Sequence, residues 1–167
     1  VVYSFGTSID GALGLGDTVT STIVPLRVAI DGVVISVAAG PFHSAASTEE
    51  GRLYTWGENY KGRLGHGDET HCRCLPSAVA STAQLTVKQV VAGYSCTLII
   101  DADSAIWITG CLRHGGPRPT TFTRVQFPDT PGLPSPRFIS VSAHFHALAV
   151  TTDGSLFSWG EGEEGQL

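Results

Sequence analysis

The 167 residues carry 10 Lys and Arg against 15 Asp and Glu, a net charge of −5, with 42% hydrophobic and 15% charged side chains. The basic residues are thinly spread, which argues against phosphate neutralisation along a nucleic acid, and no stretch approaches the roughly 20 apolar residues of a membrane span. Cys72, Cys74, Cys96 and Cys111 do not form a secreted disulfide framework, the first two being too close for a relaxed bond; a reducing, intracellular setting, cytoplasmic or nuclear, is expected.

From the N-terminus, Val1-Val2-Tyr3-Ser4-Phe5-Gly6 has no basic region before an apolar core, so no signal peptide is expected. With no methionine anywhere, residue 1 is not expected to be a native start. A glycine-rich loop follows, Gly11-Ala12-Leu13-Gly14-Leu15-Gly16-Asp17, then a proline-bearing segment at 26–29. Residues 33–39 are β-branched or small, and 44–48 follow after a tight connection. Glu49-Glu50-Gly51 makes a turn into a return strand at 52–56. The same order recurs as strands at 87–92, 97–100 and 104–109, and again at 138–143, 147–151 and 155–159. No window of useful length has helical periodicity.

The recurrence is in register. Tyr3-Ser4-Phe5-Gly6, Tyr54-Thr55-Trp56-Gly57, Trp107-Ile108-Thr109-Gly110 and Phe157-Ser158-Trp159-Gly160 are one motif written four times. Gly6, Gly57, Gly110 and Gly160 are separated by 51, 53 and 50 residues. Gly62-Arg63-Leu64-Gly65-His66-Gly67-Asp68 repeats the first glycine loop, and Gly165-Gln166-Leu167 opens another copy. His43, Cys96 and His146 each precede the next motif glycine by 14 residues. Repetition at such a period marks a stacked or circular array. Four short strands per unit, with the proline segment outermost, make a propeller blade. The expected fold is all-β: three consecutive repeats over 1–167 plus the start of a fourth. Alanine and glycine at 38–40 fit where blades crowd the axis, and the aromatic before each glycine fits between neighbouring blades.

At these residues the sequence resembles the regulator of chromosome condensation repeat family. Aromatic-Gly, Gly-x-Leu-Gly, Gly-Asp, Pro-x-x-Val, Val-Ala-Ala-Gly and His follow in that family's order over nearly the whole chain. The resemblance implies a seven-bladed propeller in which Gly6, Gly57, Gly110, Gly160, Trp56, Trp159, His43 and His146 serve the fold. It also implies a docking role, since such repeats occur in ubiquitin ligases, kinases and ciliary proteins. The alternative it carries is guanine nucleotide exchange on a Ran-type small GTPase, although no wedge-like insertion is visible.

The third unit departs from the pattern. Gly115-Gly116-Pro117-Arg118 lacks the Leu-Gly and the later Gly-Asp, and a proline-rich loop occupies 128–136. Variable loops on a packed scaffold carry recognition. Arg113, His114, Arg118, Arg124, Pro131 and Leu133 are therefore the candidate partner-binding residues.

Other chemistry reads weakly. His71-Cys72-Arg73-Cys74 with Cys111 and His114 has the ligand types of zinc, but the Cys-x-Cys gap is tighter than usual. His43 and His146 share a register, which suits a hydrogen bond to a backbone carbonyl better than catalysis. Asp17 and Asp68 suit turn stabilisation, and Gly11–Gly16 has no helix to make a phosphate cradle. An axial hydrolase site would need converging polar groups where the repeat offers alanine and glycine. No cofactor and no metal are expected. Because each blade buries its faces only against neighbours, the chain is expected to be a piece of a larger ring, completed by further residues or another chain. A stable monomeric solution of these 167 residues, measured by sedimentation, contradicts that expectation.

Overall fold

The computed structural model describes residues 1–8, 10–128 and 135–167. It is all-β, with two complete four-stranded antiparallel sheets flanked by a two-stranded and a three-stranded one. The first sheet pairs β1 (Val2–Thr7) with β2 (Ser21–Val28). The second runs in chain order through β3 (Val34–Ala39), β4 (His43–Thr48), β5 (Leu53–Glu58) and β6 (Cys72–Ala78). The third repeats this as β7 (Val87–Ala92), β8 (Cys96–Asp101), β9 (Ile106–Gly110) and β10 (Thr123–Arg124). The fourth holds β11 (Phe138–Ala143), β12 (His146–Thr151) and β13 (Leu156–Gly160).

The sheets are out of phase with the sequence repeat. Each run from one aromatic-glycine motif to the next closes one blade and opens another. The proline segments do form the outer strands, β2 and β6, where Pro25 and Pro76 need no ladder partner on their free side. β2 begins earlier than the 26–29 expected, and β10 is only two residues long. That shortening follows the loss of Pro-x-x-Val, for which the third unit has Phe122-Thr123-Arg124-Val125.

Neighbouring blades meet at their inner strands, where β3 lies on β7 and β7 on β11. A Cβ on Gly40 would come within 3.0 Å of the Gly93 carbonyl oxygen and 3.1 Å of Ala92 Cβ. The small residues are thus enforced by approach of one backbone to the next. Leu98, Ile106, Phe138 and Val141 fill the interface between the third and fourth sheets, and Ala45, Leu53, Val87 and Ile99 that between the second and third. Each fully buried leucine or isoleucine contributes about 2 kcal/mol by leaving water.

The motif glycine makes a bulge possible. Register between β1 and β2 shifts from Ser4 to Gly6, and between β5 and β6 from Thr55 to Gly57. Three residues of the outer strand, 23–25 or 74–76, stand against the one aromatic, Phe5 or Trp56, so the bulge lies on β2 and β6, and Trp56 stays paired with Ser44 of β4. Gly57 has φ +103, and a Cβ there would stand 2.6 Å from both His43 Cα and the Phe42 carbonyl oxygen. Gly6 has φ +116 with nothing within 4 Å of its would-be Cβ. Gly57→Ala should therefore cost about 3 kcal/mol, strain plus clash, whereas Gly6→Ala should cost about 1 kcal/mol, strain alone. Paired urea unfolding curves measure both; equal losses would remove the steric argument.

Candidate functional site

The repeat residues join one blade to the next through peptide carbonyls at the glycine-loop tips. Trp56 is buried, and its Nε1–H donates to the Ala12 carbonyl at 2.9 Å. Ser44 donates its hydroxyl to the same oxygen at 2.9 Å. One unit later, Thr97 donates to the Arg63 carbonyl at 2.6 Å and Thr109 to the Gly62 carbonyl at 2.8 Å. Leu13 and Leu64, at matching loop positions, are buried. Within each loop, Ser4 and Thr55 donate to the carbonyls of Leu13 and Leu64. Asn59 accepts the Leu64 N–H through Oδ1 and donates Nδ2–H to Asp68. Asp68 thus serves the turn, and it also receives Arg73.

His43 is fully buried, with Nε2 2.8 Å from Thr97 Oγ1. The partner is a hydroxyl of the next blade, where the shared register suggests a backbone carbonyl. Since Thr97 gives its one proton to Arg63, Nε2–H must be the donor to Oγ1. Nδ1 then lies buried with no partner among the described residues. Burial, and secondarily the Arg63 charge, lower the pKa of His43 to about 3. A neutral ring sealed from solvent cannot meet a substrate. His146 occupies the same register in the last sheet and is only partly buried. Cys96, at that register in the third sheet, is buried, and burial pushes its thiol up to about 12, which leaves it inert as a nucleophile.

Arg63 is the residue that the sequence pattern hides. Its side chain is 1% exposed, donating Nε–H to the Tyr60 carbonyl at 2.9 Å and Nη1–H to the Tyr94 carbonyl at 3.0 Å. Glu58 Oε2 stands 3.4 Å from Nη1, and the guanidinium lies 5.3 Å from the Phe42 ring centre. Ala12 holds this position in the preceding loop, so repetition alone suggests a small residue. The signal was the charge itself, an arginine inside a glycine loop with an acid five residues upstream. Phe42, Tyr94 and His144 continue from it as edge-packed rings, and Phe145 lies tilted against Tyr94 at 4.4 Å. His144 is therefore a packed aromatic.

The sequence-derived binding residues are not gathered into one pocket. Arg113 lines a cavity of about 440 Å3 with Ile108, Leu112, Val125 and Trp159. Arg124 borders a small cavity of about 100 Å3 beside Phe127 and Phe138. Arg118 lines a third, about 360 Å3, with Glu58, Lys61 and Glu69. His114 is exposed. Arg113, Arg118 and Arg124 have no salt-bridge partner among the described residues. Pro131 and Leu133 lie outside the described residues. Cys72 and Cys74 sulfurs are 4.0 Å apart on β6, while buried Cys111 donates to the Arg113 carbonyl at 2.6 Å in the loop after β9. Among the described residues no three metal-ligating side chains converge, and no helix is long and apolar enough to cross a membrane.

Antiparallel blades packed by inner strands and joined through glycine-loop carbonyls define a partial β-propeller. Residues 1–47 and 50–100 match the regulator of chromosome condensation (RCC1) repeat, and residues 34–63 and 138–166 match a second description of that repeat. The chain belongs to the RCC1 repeat family. It is similar to the ultraviolet-B receptor UVR8 of Arabidopsis thaliana, 37% identical over 99% of this chain and 38% of the receptor. It is similar also to the human regulator of chromosome condensation, 30% identical over 100% of this chain and 40% of that protein. The human E3 ubiquitin-protein ligase HERC2 is 32% identical over 99% of this chain and 4% of its own length. The chain thus spans two-fifths or less of these relatives. Among solved structures, human WBSCR16 superposes with a TM-score of 0.85 at 24% identity, over 98% of this chain and 44% of that one. Yeast Prp20p, described with its binding to Gsp1p and histones, gives 0.81 at 22% identity, over 99% of this chain and 42% of that one. Both show the fold.

The buried imidazole makes a pH prediction. Above pH 6.5 His43 is neutral folded or unfolded. As pH falls from 6.5 toward 3, the unfolded chain takes up a proton that the folded ring refuses, so stability drops by up to about 1.4 kcal/mol per pH unit for this group. His66, lowered to about 4 chiefly by burial, adds a second such loss between 6.5 and 4. Urea titrations across this range should show a flatter pH dependence for His43→Gln than for the parent; parallel curves would rule out the neutral buried ring.

Proposed function

We propose that this chain is part of a non-catalytic, protein-docking propeller, and that its third glycine loop and the adjoining β10 present the docking surface. The observation that carries this reading is the change of character in the third unit. Two loops are held by a buried leucine and by glycines, the second also by Asp68, and the next gives these up for exposed Arg113, His114 and Arg118. Exposed arginines are favoured at hot spots because a planar guanidinium binds carboxylates in pairs of hydrogen bonds at low cost. The 128–136 loop, with Pro131 and Leu133, adjoins this surface in sequence and is included in the proposal.

The exposed apolar side chains support further blades. Tyr3, Phe5, Ile35 and Val37 at one end, and Leu148 and Leu156 at the other, stand in water, Ile23 being 94% exposed. Surfaces of this kind are covered in working proteins. We propose that additional blades of the same repeat cover them, consistent with the share of its relatives that the chain spans. An intracellular, reducing location suits the four free cysteines.

Nucleotide exchange on a small GTPase is the second reading, and the likeness to yeast Prp20p, whose binding to Gsp1p is on record, motivates its test. Affinity purification of the full-length protein should lose its main partner when Arg113 and Arg118 are both changed to Glu, with thermal unfolding unchanged. Unchanged recovery would remove this surface as the docking site. Labelled guanine nucleotide release from a Ran-type GTPase should stay at background; acceleration well above it would favour exchange.

A further inference from the structure

The outer strand of the second sheet carries two thiols on one face. Cys72 and Cys74 stand two apart on β6, so their side chains point the same way, and their sulfurs are 4.0 Å apart. Both are half-buried free thiols. The ladder holds them differently. Cys72 is paired with Glu58 of β5, whereas Cys74 opens the three-residue bulge at 74–76, between the pairs Gly57–Arg73 and Thr55–Ser77. A bulged residue has no ladder partner of its own, so Cys74 can shift without unzipping β6.

Cys74 is also the seat of the first glycine loop. The Gly16 N–H donates to the Cys74 carbonyl at 3.0 Å. A Cβ on Gly11 would stand 2.6 Å from Cys74 Cα and 2.8 Å from its sulfur. Gly11 and Gly16 flank Ala12, whose carbonyl is held by Ser44 and Trp56. At the next joint Thr120 has the same place: its carbonyl accepts the Gly67 N–H at 2.8 Å, and a Cβ on Gly62 would stand 2.9 Å from its Cα. Two residues before Thr120 is Arg118, where Cys72 precedes Cys74. The seat therefore belongs to the repeat, while the thiol pair marks the first of these two joints.

We propose that Cys72 and Cys74 form a reversible redox latch, an intramolecular disulfide closed by a peroxide-class oxidant that shifts Cys74 and releases the first glycine loop from its seat. Burial first, and then its hydrogen bond with Cys72, raises the thiol of Cys74, so Cys72 is the attacking sulfur. Attack on hydrogen peroxide makes a Cys72 sulfenic acid and releases one water. Cys74 then attacks that sulfur, and its proton leaves with the hydroxyl as a second water. The two sulfurs give up two electrons and the peroxide takes them. Closure draws the sulfurs from 4.0 Å to about 2 Å. Cys72 is held by its ladder pairing, so the bulged Cys74 moves. A disulfide spanning one residue of a strand is strained, and strained disulfides are readily reduced, so free thiols such as glutathione reopen it.

The test uses the full-length protein, reduced and then exposed to hydrogen peroxide, with remaining thiols alkylated before proteolysis and mass spectrometry. The peptide holding 72 and 74 should lose two hydrogens and take up no alkylating agent, and dithiothreitol should restore both thiols. Amide hydrogen exchange over residues 10–17 should rise about tenfold on oxidation, while that over the second loop, 62–68, stays as it was. Cys72→Ser keeps the seat and removes the bond, so its exchange under peroxide should remain at the reduced level, with thermal unfolding unaltered. Alkylation of both thiols after peroxide, or over-oxidation of either in place of the bond, would overturn the latch. A disulfide that leaves exchange at 10–17 unaltered would overturn it too, as would a peroxide response retained in Cys72→Ser.

Discussion

The structure depends on a peptide carbonyl that cannot be satisfied within its own blade. The tips of the first two glycine loops lean onto the next sheet, and their oxygens are taken out of water there. A buried acceptor left unpaired costs about 1–3 kcal/mol, so the next sheet must supply donors at matching positions. It does so with Ser44 and Trp56 at one joint and Thr97 and Thr109 at the other. The donor differs, indole in one case and hydroxyl in the other, while the place of the acceptor is kept to within one residue. Positive φ at the loop glycines, the buried leucine and the bulge opposite the aromatic all serve to bring that carbonyl to its donor. Blade packing at these two joints is therefore directional: the second and third sheets each close the loop of the one before.

Buried charge follows the same logic. Arg63 adds a guanidinium to a loop that elsewhere holds alanine, and the structure answers with two backbone carbonyls, one carboxylate and two aromatic faces. Burial lowers its pKa, with Glu58 opposing that shift. Burial, and secondarily the proximity of this cation, keeps His43 neutral. Two groups that would look like active-site chemistry in isolation are parts of one interlocked joint.

The fold was legible because it is written several times. Spacing of the aromatic-glycine motifs and the Asp-Gly and Glu-Gly turns placed every central strand to within one or two residues. What repetition cannot convey is phase: a period of about fifty residues says nothing of where one sheet stops, and here the sheet boundary falls inside the repeat. Nor does it convey departures that act across space. His43 reads as a repeat residue until Thr97, some fifty residues later, is seen to accept its ring N–H from the next sheet. The candidate arginines were legible as a departure from pattern, but their distribution over three cavities depends on how β10 and the loop tip turn, which the local sequence does not state. Arg63 was hidden by its register, since the partners that make its burial tolerable come from Phe42, Glu58, Tyr60 and Tyr94.

The offset between repeat and sheet has a consequence for dissecting the molecule. A segment excised at the aromatic-glycine positions severs a sheet at either end and leaves two new raw edges, although it is a perfect unit on paper. One taken from about residue 30 to about residue 128 retains two whole meanders and the interlock between them. Transplanting recognition between members of such an array accordingly means exchanging sheets, with the loop of the preceding sheet moved together with the face that receives it.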